Sequence, residues 1–277
     1  MYIVLGKGGM LGTDVCNLLT KENIEFKGFD FPEIDVTKKE TLEKVITNDV
    51  DVVINCTAHT AVDLAESEED KAYAINAQGA LNIAELCKKV GAKLVHISTD
   101  FVFSGDKEGC YYETDKPDPI SAYGRTKYEG ELFIEKTMDK YFIVRTAYLF
   151  GKNGKNFIET MLSLKDRDEL KVINDQKGSP TSTLDLAQAI INLSKTDKYG
   201  IYHATSEGEA TWYEFAKYVF DQLNLDVNIK PCTTSEYPTP AKRPANSVLE
   251  NKHLKDEKIF EFPHWKEAVD EYLKDLK

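Results

Sequence analysis

The stretch Gly6-Lys7-Gly8-Gly9-Met10-Leu11-Gly12 decides the fold, because it joins an apolar run at Tyr2–Leu5 to a helical pattern over residues 10–22. Its glycines fit the spacing GxxGxxG at Gly6, Gly9 and Gly12. Glycines at such a turn let the backbone approach a pyrophosphate, which then meets the free amide groups of the helix N-terminus. The sequence therefore predicts a dinucleotide-binding turn, with a purely structural turn as the alternative. A P-loop is excluded, since no Lys-Ser or Lys-Thr pair follows the glycines.

Strand-like and helix-like runs alternate outward from this turn over the first two thirds of the chain. Further apolar strands are predicted at 24–30, 52–56, 93–98 and 142–146. Helices are predicted at 38–48, with Thr37 as its N-cap, at 68–90, closed by Gly91, and at 122–137. This alternation is typical of a parallel sheet that helices cover on both faces. We therefore predict an α/β fold with a Rossmann-type, doubly wound parallel sheet.

The alternation of strands and helices becomes irregular after residue 145, which indicates a second unit. Helices are predicted near 155–166, 183–195, 211–223 and 264–276, and short strands at 170–173 and 201–204. Residues 231–244 hold four of the nine prolines and are predicted to be irregular. We predict a NAD(P)-binding domain over residues 1–150, to which roughly 170–205 returns. Roughly 151–169 and 206–277 are predicted to form a smaller C-terminal α/β lobe that binds substrate.

The composition restricts the class of protein. The 35 Lys and Arg residues against 47 Asp and Glu residues give a net charge of −12, which disfavours nucleic-acid binding. The longest apolar runs are too short to span a membrane, and the first residues lack the charged region of a signal peptide. Five cysteines without a CxxC pair suit reduced thiols. We expect a cytoplasmic enzyme without nucleic-acid or membrane partners.

The spacing Tyr-x-x-x-Lys occurs at four places, and its context selects one of them. Tyr123 and Lys127 begin the predicted helix 122–137, and the strand 93–98 ends in Ser98-Thr99-Asp100, with Thr99 standing 24 residues before Tyr123. Strand ends of this kind are where ligands bind in parallel sheets. The other three pairs lack this context. A proline directly follows Tyr112 and Lys116, and a glycine interrupts Tyr148 and Lys152. No such strand lies upstream of Tyr213 and Lys217.

These residue types suit the reduction of a carbonyl group. At spacing i, i+4 the tyrosine and the lysine share one helix face. We expect the Lys127 ammonium to lower the pKa of Tyr123, which donates a proton to a carbonyl oxygen as hydride arrives. The Thr99 hydroxyl is expected to hold that oxygen. A surface pair without a catalytic role is the alternative.

A carboxylate follows the second predicted strand. Asp30 stands 18 residues after Gly12, at the position where an acidic side chain accepts hydrogen bonds from the adenosine ribose hydroxyls. It would repel a 2′-phosphate, so we expect NADH to be usable and preferred, with Lys7 and Lys38 weakening that preference. The alternative is a solvated aspartate without a ligand.

Seven segments carry a resemblance that covers nearly the whole chain. They are GKGGMLG (6–12), NCTAHTAVDLAE (55–66), STDFVFSG (98–105), SAYGRTKYEGE (121–131), VRTAYLFG (144–151), NDQKGSPT (174–181) and YPTPAKRPANSVL (237–249). On these segments the chain resembles the extended short-chain dehydrogenase/reductases, and most closely the dTDP-4-dehydrorhamnose reductases among them. The last two segments are the most specific to these reductases.

The resemblance implies a role for individual residues. For the cofactor, NADP(H) or NAD(H), it implies contacts from Gly6, Gly9, Met10, Leu11, Gly12, Asp30, Asp35, Val36, Ala58, His59, Thr60, Ile97, Tyr123 and Lys127. Asp35 and Val36 are expected to flank the adenine, and Ala58, His59, Thr60 and Ile97 to lie near the nicotinamide half. Thr99, Tyr123 and Lys127 are the implied catalytic residues, and Val62, Thr99, Asp100 and Tyr148 the implied substrate contacts.

One further substrate contact is predicted from charge. Lys242 and Arg243 are the only cations of the proline-rich stretch 237–244, and dTDP-sugars carry a diphosphate. An arginine fork can bond two phosphate oxygens at once, so we expect Arg243 to bind the diphosphate. The alternative is that Arg243 pairs with a nearby carboxylate and holds the loop.

The resemblance implies that the chain reduces the C4 keto group of dTDP-4-dehydro-β-L-rhamnose to give dTDP-L-rhamnose, as a monomer or homodimer. The alternatives are another nucleotide-sugar 4-ketoreductase and a non-catalytic NAD(P)-binding regulatory subunit. A dehydratase is disfavoured, because Phe101 follows Thr99-Asp100 where those enzymes carry a glutamate. Some family members bind magnesium through glutamates at a dimer interface. We expect no metal here, since Asp14 and Leu184 occupy two of those positions.

Overall fold

A six-stranded parallel sheet forms the centre of the protein in the computed structural model, which describes residues 1–274. The strands are, in chain order, β1 (Tyr2–Leu5), β2 (Phe26–Phe29), β3 (Val52–Asn55), β4 (Lys93–Thr99), β5 (Tyr141–Thr146), β6 (Leu149–Phe150), β7 (Leu170–Ile173), β8 (Lys177–Gly178), β9 (Thr181–Ser182), β10 (Gly200–His203), β11 (Ala210–Thr211) and β12 (Ile229–Cys232). The central sheet has the order β2-β1-β3-β4-β5-β10. All of its neighbouring strands are parallel, which confirms the predicted fold class.

The strand order creates a crevice at one edge of the sheet. From β1 the chain goes first to β2 on one side and then to β3 on the other. The loops that leave the carboxyl ends of β1 and β3 therefore diverge, and such switch points are where open α/β sheets bind ligands. The glycine turn follows β1, so it lies at this crevice.

Helices cover both faces of the sheet. Over the described residues the α-helices, including those of the C-terminal part, are α1 (Met10–Lys21), α2 (Lys39–Leu42), α3 (Val62–Ala65), α4 (Glu69–Tyr73), α5 (Gly79–Val90), α6 (Ala122–Thr137), α7 (Phe157–Ser163), α8 (Thr183–Ser194), α9 (Trp212–Gln222), α10 (Lys252–Asp256) and α11 (Trp265–Leu273). Alternate strand residues face opposite layers. Val4 packs in a cluster with Val15 of α1 and Ile190 of α8, whereas Ile3 packs with Ile83 of α5 and Ile134 of α6.

The glycine turn depends on a close approach of backbone to backbone. A Cβ atom at Gly12 would lie 1.9 Å from the carbonyl oxygen of Gly6, so α1 fits against the turn only with glycine there. Gly6 itself has φ +84°, in the left-handed region that favours glycine. Both positions agree with the spacing GxxGxxG.

Two predicted helices differ from the structure. The predicted helix 68–90 is interrupted by a π-helical turn, Ala74–Gln78, between α4 and α5, and it ends as expected at Gly91, with φ +79°. The predicted helix 38–48 is reduced to α2, and Thr37 is not its N-cap. The Thr37 hydroxyl donates instead to Asp35 Oδ1 at 2.7 Å, so this side chain stabilises the preceding turn.

The C-terminal part has its own small sheets and core. β12 pairs with β7, β11 with β8, and β9 with β6. Phe215 and Val219 of α9 pack there with Trp265 and Val269 of α11. Of residues 170–205, α8 and β10 return to the central sheet, whereas β7 pairs within the C-terminal lobe. The domain boundaries themselves stay a prediction, and the end of the predicted helix 264–276 lies outside the described residues.

Candidate active site

A cleft of about 670 Å³ lies between the carboxyl edge of the central sheet and the C-terminal lobe. The predicted site residues that line it are Gly9, Met10, Leu11, Gly12, Ala58, Thr60, Val62, Ile97, Thr99, Asp100, Tyr123, Lys127, Tyr148 and Arg243. The predicted residues that do not line it are Gly6, Asp30, Asp35, Val36 and His59. The structure therefore brings the three predicted catalytic residues into one cleft with the glycine turn.

Tyr123 lies in the first turn of α6. Ser121 caps this helix by accepting a hydrogen bond from the Gly124 amide at 3.1 Å. Gly124 is required because a Cβ atom there would lie 2.2 Å from the Phe101 carbonyl oxygen. Burial raises the pKa of Tyr123 to about 12. The phenol is therefore protonated at neutral pH, as a proton donor must be.

Thr99 ends β4 beside this phenol. Its hydroxyl donates to Asp100 Oδ1 at 2.9 Å and accepts from the Phe101 amide at 3.2 Å. Burial raises the pKa of Asp100 to about 6, although hydrogen bonds, one of them from Thr99, act against this rise. The one hydroxyl proton of Thr99 is thus directed at Asp100, and it must turn to hold a substrate oxygen.

Lys127 lies one helical turn after Tyr123 and is buried at 2% exposure. Its Nζ donates to the Ile97 carbonyl at 2.5 Å and lies 3.3 Å from His96 Nε2. Burial lowers the pKa of Lys127 to about 8. The expectation that Lys127 lowers the pKa of Tyr123 is not met, because Nζ points at β4 and burial of the phenol dominates.

A buried ion pair lies behind these residues. Arg145 of β5 and Glu131 of α6 are 1% and 0% exposed, and Arg145 Nη2 lies 2.6 Å from Glu131 Oε2. The Ser98 hydroxyl donates to the same carboxylate. A buried pair of this kind fixes geometry rather than adding much net stability. Sequence analysis did not identify it, although a glutamate on the buried face of α6 was a signal.

The glycine turn forms the other end of the cleft. No side chain caps α1 and no acidic residue occupies its first turn, so its N-terminus keeps its partial positive charge. Asp30 lies just outside the lining, where its Oδ2 accepts from the Gly8 amide at 2.7 Å. Asp35 Oδ1 accepts from Thr37, and Val36 contacts Gly79, so neither borders the cleft.

His59 has a mainly structural place. Its amide donates to Asn76 Oδ1 at 2.8 Å, and its Nε2 lies 3.7 Å from Glu68 Oε2, away from the cleft lining. Asn76 belongs to the π-helical turn and also donates to Thr126 Oγ1 at 3.1 Å. The π-helical turn therefore joins the loop after β3 to α6, which holds Tyr123.

An aromatic stack lines the cleft on the side of the C-terminal lobe. Tyr148 has φ +47°, and its ring stacks on Trp212 with centroids 3.6 Å apart and planes 9° apart. A Cβ atom at Gly178 would lie 2.6 Å from the Tyr148 ring. Trp212 also lines the cleft. The two rings are 64 positions apart in the sequence, so no local motif predicts their contact.

Arg243 reaches the cleft from the proline-rich segment and is paired there. Its Nη1 lies 3.0 Å from Asp63 Oδ1 and its Nη2 lies 2.8 Å from Asp63 Oδ2. Nη1 also donates to the Ala241 carbonyl at 3.1 Å. In this state Arg243 makes the carboxylate pair that the sequence left open as the alternative to diphosphate binding.

Asp14 has partners of its own below the glycine turn. It accepts from the Thr183 hydroxyl at 2.5 Å and from Asn153 Nδ2 at 2.8 Å. Within residues 1–274, no group of three or more His, Cys, Asp or Glu side chains is placed to hold a metal ion. Over the same residues, no helix combines the length and apolarity needed to cross a bilayer. The expected absence of a metal stays a prediction.

Comparison with known proteins gives consistent matches along the chain. A model of the family described as RmlD substrate binding domain matches residues 1–277. The dTDP-4-dehydrorhamnose reductase of Aggregatibacter actinomycetemcomitans is 38% identical over 283 residues, which covers 96% of each chain. A solved structure of such a reductase from Clostridium acetobutylicum ATCC 824 has a TM-score of 0.96 at 44% identity, and covers 100% of this chain and 99% of that one. The solved structure of the dTDP-4-dehydrorhamnose reductase of Bacillus anthracis str. Ames, in complex with NADP, has a TM-score of 0.96 at 41% identity. The match covers 99% of this chain and 98% of that one.

Proposed function

Because the chain belongs to the RmlD substrate binding domain family, we propose that it reduces the C4 keto group of dTDP-4-dehydro-β-L-rhamnose to give dTDP-L-rhamnose. The reductant is NADPH or NADH. One observation carries this proposal: Thr99, Tyr123 and Lys127 border the same cleft as the glycine turn. A carbonyl beside Tyr123 then lies in reach of both a proton donor and a dinucleotide.

The glycine turn fits the diphosphate of a dinucleotide. The uncapped N-terminus of α1 offers amide groups and partial positive charge, and glycines at the turn leave room for the phosphates. Gly9, Met10, Leu11 and Gly12 would hold the diphosphate, and Ala58, Thr60 and Ile97 would line the other half. The bound cofactor supplies the hydride that is added to C4 of the sugar.

The residues of the chain supply the proton and hold the substrate. The Tyr123 O–H bond breaks as its proton moves to the C4 oxygen, where a new O–H bond forms, leaving a phenolate. The Thr99 hydroxyl turns from Asp100 towards the same oxygen and stabilises its developing charge. Lys127 would hold the cofactor ribose from its place one helical turn after Tyr123. The stack of Tyr148 on Trp212 forms a wall for the sugar, with Val62 and Asp100 beside it.

The proposed function is tested with purified protein and a panel of nucleotide-4-ketosugars. We expect oxidation of NADPH and NADH with dTDP-4-dehydro-β-L-rhamnose, and dTDP-L-rhamnose as the product identified by NMR. Faster turnover of a sugar with different stereochemistry would replace the substrate but keep the reaction. No turnover with any ketosugar, together with tight cofactor binding, would favour a regulatory subunit. The cytoplasmic location and the monomeric or homodimeric state stay predictions.

A further inference from the structure

A buried histidine lies directly behind Lys127. His96 is in the middle of β4, is 1% exposed, and sits opposite Asn55 in the register between β3 and β4. Its Nδ1 lies 3.0 Å from Asn55 Nδ2, and its Nε2 lies 3.3 Å from Lys127 Nζ. His96 therefore contacts both Asn55 and Lys127.

The surroundings of Asn55 fix the tautomer of His96. The Thr57 amide lies 3.1 Å from Asn55 Oδ1, and an amide N–H can only donate. The carbonyl oxygen of the Asn55 side chain therefore faces Thr57, and its NH₂ group faces His96. His96 Nδ1 must accept from that NH₂ group, so the ring proton of the neutral imidazole is on Nε2.

This tautomer determines what Lys127 meets. His96 Nε2–H points at Lys127 Nζ, and only the neutral amine has a lone pair that can accept it. An ammonium group in the same place would face an N–H donor. We propose that His96 is a positioning residue for Lys127, which directs Nε2–H at the lysine nitrogen and thereby favours the amine over the ammonium.

Apart from burial, the other groups around Lys127 favour its ammonium form or have no effect on its protonation. Glu131 on the same helix and Cys56 after β3 both raise the pKa of Lys127, and burial lowers it to about 8. Burial holds the pKa of His96 well below its usual value, so the imidazole stays neutral. The Ile97 carbonyl accepts from either form of the lysine. Tyr123 precedes Lys127 by one turn and is protonated at neutral pH. His96 is thus the polar side chain in contact with Nζ that opposes the ammonium.

The consequence for the reaction rests on the proposed function. If turnover needs the Lys127 ammonium, activity falls as pH rises through the pKa of this lysine. Removing the Nε2–H donor stabilises the ammonium relative to the amine, so the pKa of Lys127 rises. The basic limb of the kcat/KM profile then moves to higher pH, by about one unit for the loss of one such contact.

The first test uses the wild-type protein and needs no substrate. A long-range ¹H–¹⁵N NMR spectrum distinguishes the two neutral histidine tautomers. We expect the Nε2–H form for His96, with its signals assigned by their loss in His96→Gln. Observation of the Nδ1–H form would overturn the proposal, because Nε2 would then accept from the ammonium.

The second test titrates Lys127 directly. In protein labelled with ¹³C at lysine Cε, the Lys127 signal is assigned by its loss in Lys127→Arg, and its pKa is measured in three variants. His96→Leu should raise the pKa by about one unit, and His96→Gln, which can keep an N–H donor towards Nζ, should stay near wild type. His203→Leu is the matched control, because His203 is equally buried but lies in β10, where its ring packs edge-on against Phe103.

An unchanged or lowered Lys127 pKa in His96→Leu would overturn the proposal, and so would an equal rise in His203→Leu. Both NMR measurements are independent of turnover. A protein that reduces no ketosugar therefore leaves them interpretable, and the proposed function then fails alone. An active enzyme whose His96 carries its proton on Nδ1 would support the proposed function and overturn the role proposed for His96.

Discussion

The carboxylate of Asp63 holds both terminal nitrogens of Arg243, at 3.0 and 2.8 Å, across 180 residues of sequence. Asp63 belongs to α3, which follows the loop after β3, and Arg243 belongs to the proline-rich segment of the C-terminal lobe. The pair therefore joins the two sides of the cleft. Because both side chains are partly exposed, it adds little to the free energy of unfolding. Its main effect is to place a cation at the cleft.

Arg243→Ala tests whether this cation binds the diphosphate. We expect the KM for the nucleotide sugar to rise about 10-fold or more, because charged hydrogen bonds are lost. The dissociation constant of NADPH and the melting temperature should stay near wild type. Lys242→Ala is the matched control, since it removes an exposed cation from the adjacent position. A melting temperature lower by several degrees with an unchanged KM would assign Arg243 to structure alone.

Tyr123→Phe tests the proton donor. General acid catalysis contributes about 10²–10⁴-fold, so kcat should fall by that factor while the NADPH dissociation constant changes little. Tyr213→Phe provides the control, because Tyr213 lies on α9 and its partner Lys217 pairs with Asp221 at 2.8 Å. A kcat within about threefold of wild type for Tyr123→Phe would show that another group donates the proton.

Asp30→Ala tests the choice between NADH and NADPH. The Asp30 carboxylate follows β2 and disfavours a 2′-phosphate, so its removal should lower the ratio of kcat/KM for NADH to that for NADPH. Asp30 also accepts from the Gly8 amide, so a weaker loop could reduce both values together. Asp30→Asn separates the two effects, because the amide oxygen can keep the Gly8 contact while the charge is lost. An unchanged ratio in both variants would mean that Asp30 does not meet the ribose.

The raised pKa of Asp100 is expected to make the stability of the protein depend on pH. Burial raises its pKa from 3.8 to about 6, so the folded state keeps the proton at pH values where the unfolded state releases it. The free energy of unfolding therefore falls as pH rises from about 4 to 6, by up to about 3 kcal/mol from this group. Asp100→Asn should remove this part of the slope in urea unfolding at pH 4.5 and 7. Parallel slopes for the two proteins would contradict the prediction. Asp185, whose pKa burial also raises to about 6, contributes equally to both proteins and cancels in the comparison.

Much of the fold could be predicted because the deciding signals are local. The strands of the central sheet are short apolar runs that end in glycine or polar residues, and β1 and α6 have the predicted bounds. Reliance on local signals also explains why the helix at 38–48 was predicted wrongly. Its apolar residues Leu42 and Ile46 are buried as a helical pattern requires, but the helix ends at Leu42 and turns follow it.

The site was predictable where its residues form motifs, and not where they meet through the fold. Tyr123 and Lys127 share one helix, and Thr99 ends the strand before it, so spacing was sufficient. The contact of His96 with Asn55 depends on strand register, and that of Tyr148 with Trp212 on how two lobes pack. Neither relation has a signal at short range in the sequence.

The contact between Gly178 and Tyr148 has a consequence for the evolution and engineering of this cleft. Because a Cβ atom at position 178 would collide with the ring, the two positions cannot change independently. Homologues with a side chain at 178 should carry a smaller or differently oriented residue at 148, so the two alignment columns should covary. A designer who wishes to place a side chain at position 178 must therefore change Tyr148 at the same time, because a library that varies only position 178 introduces side chains that collide with the ring.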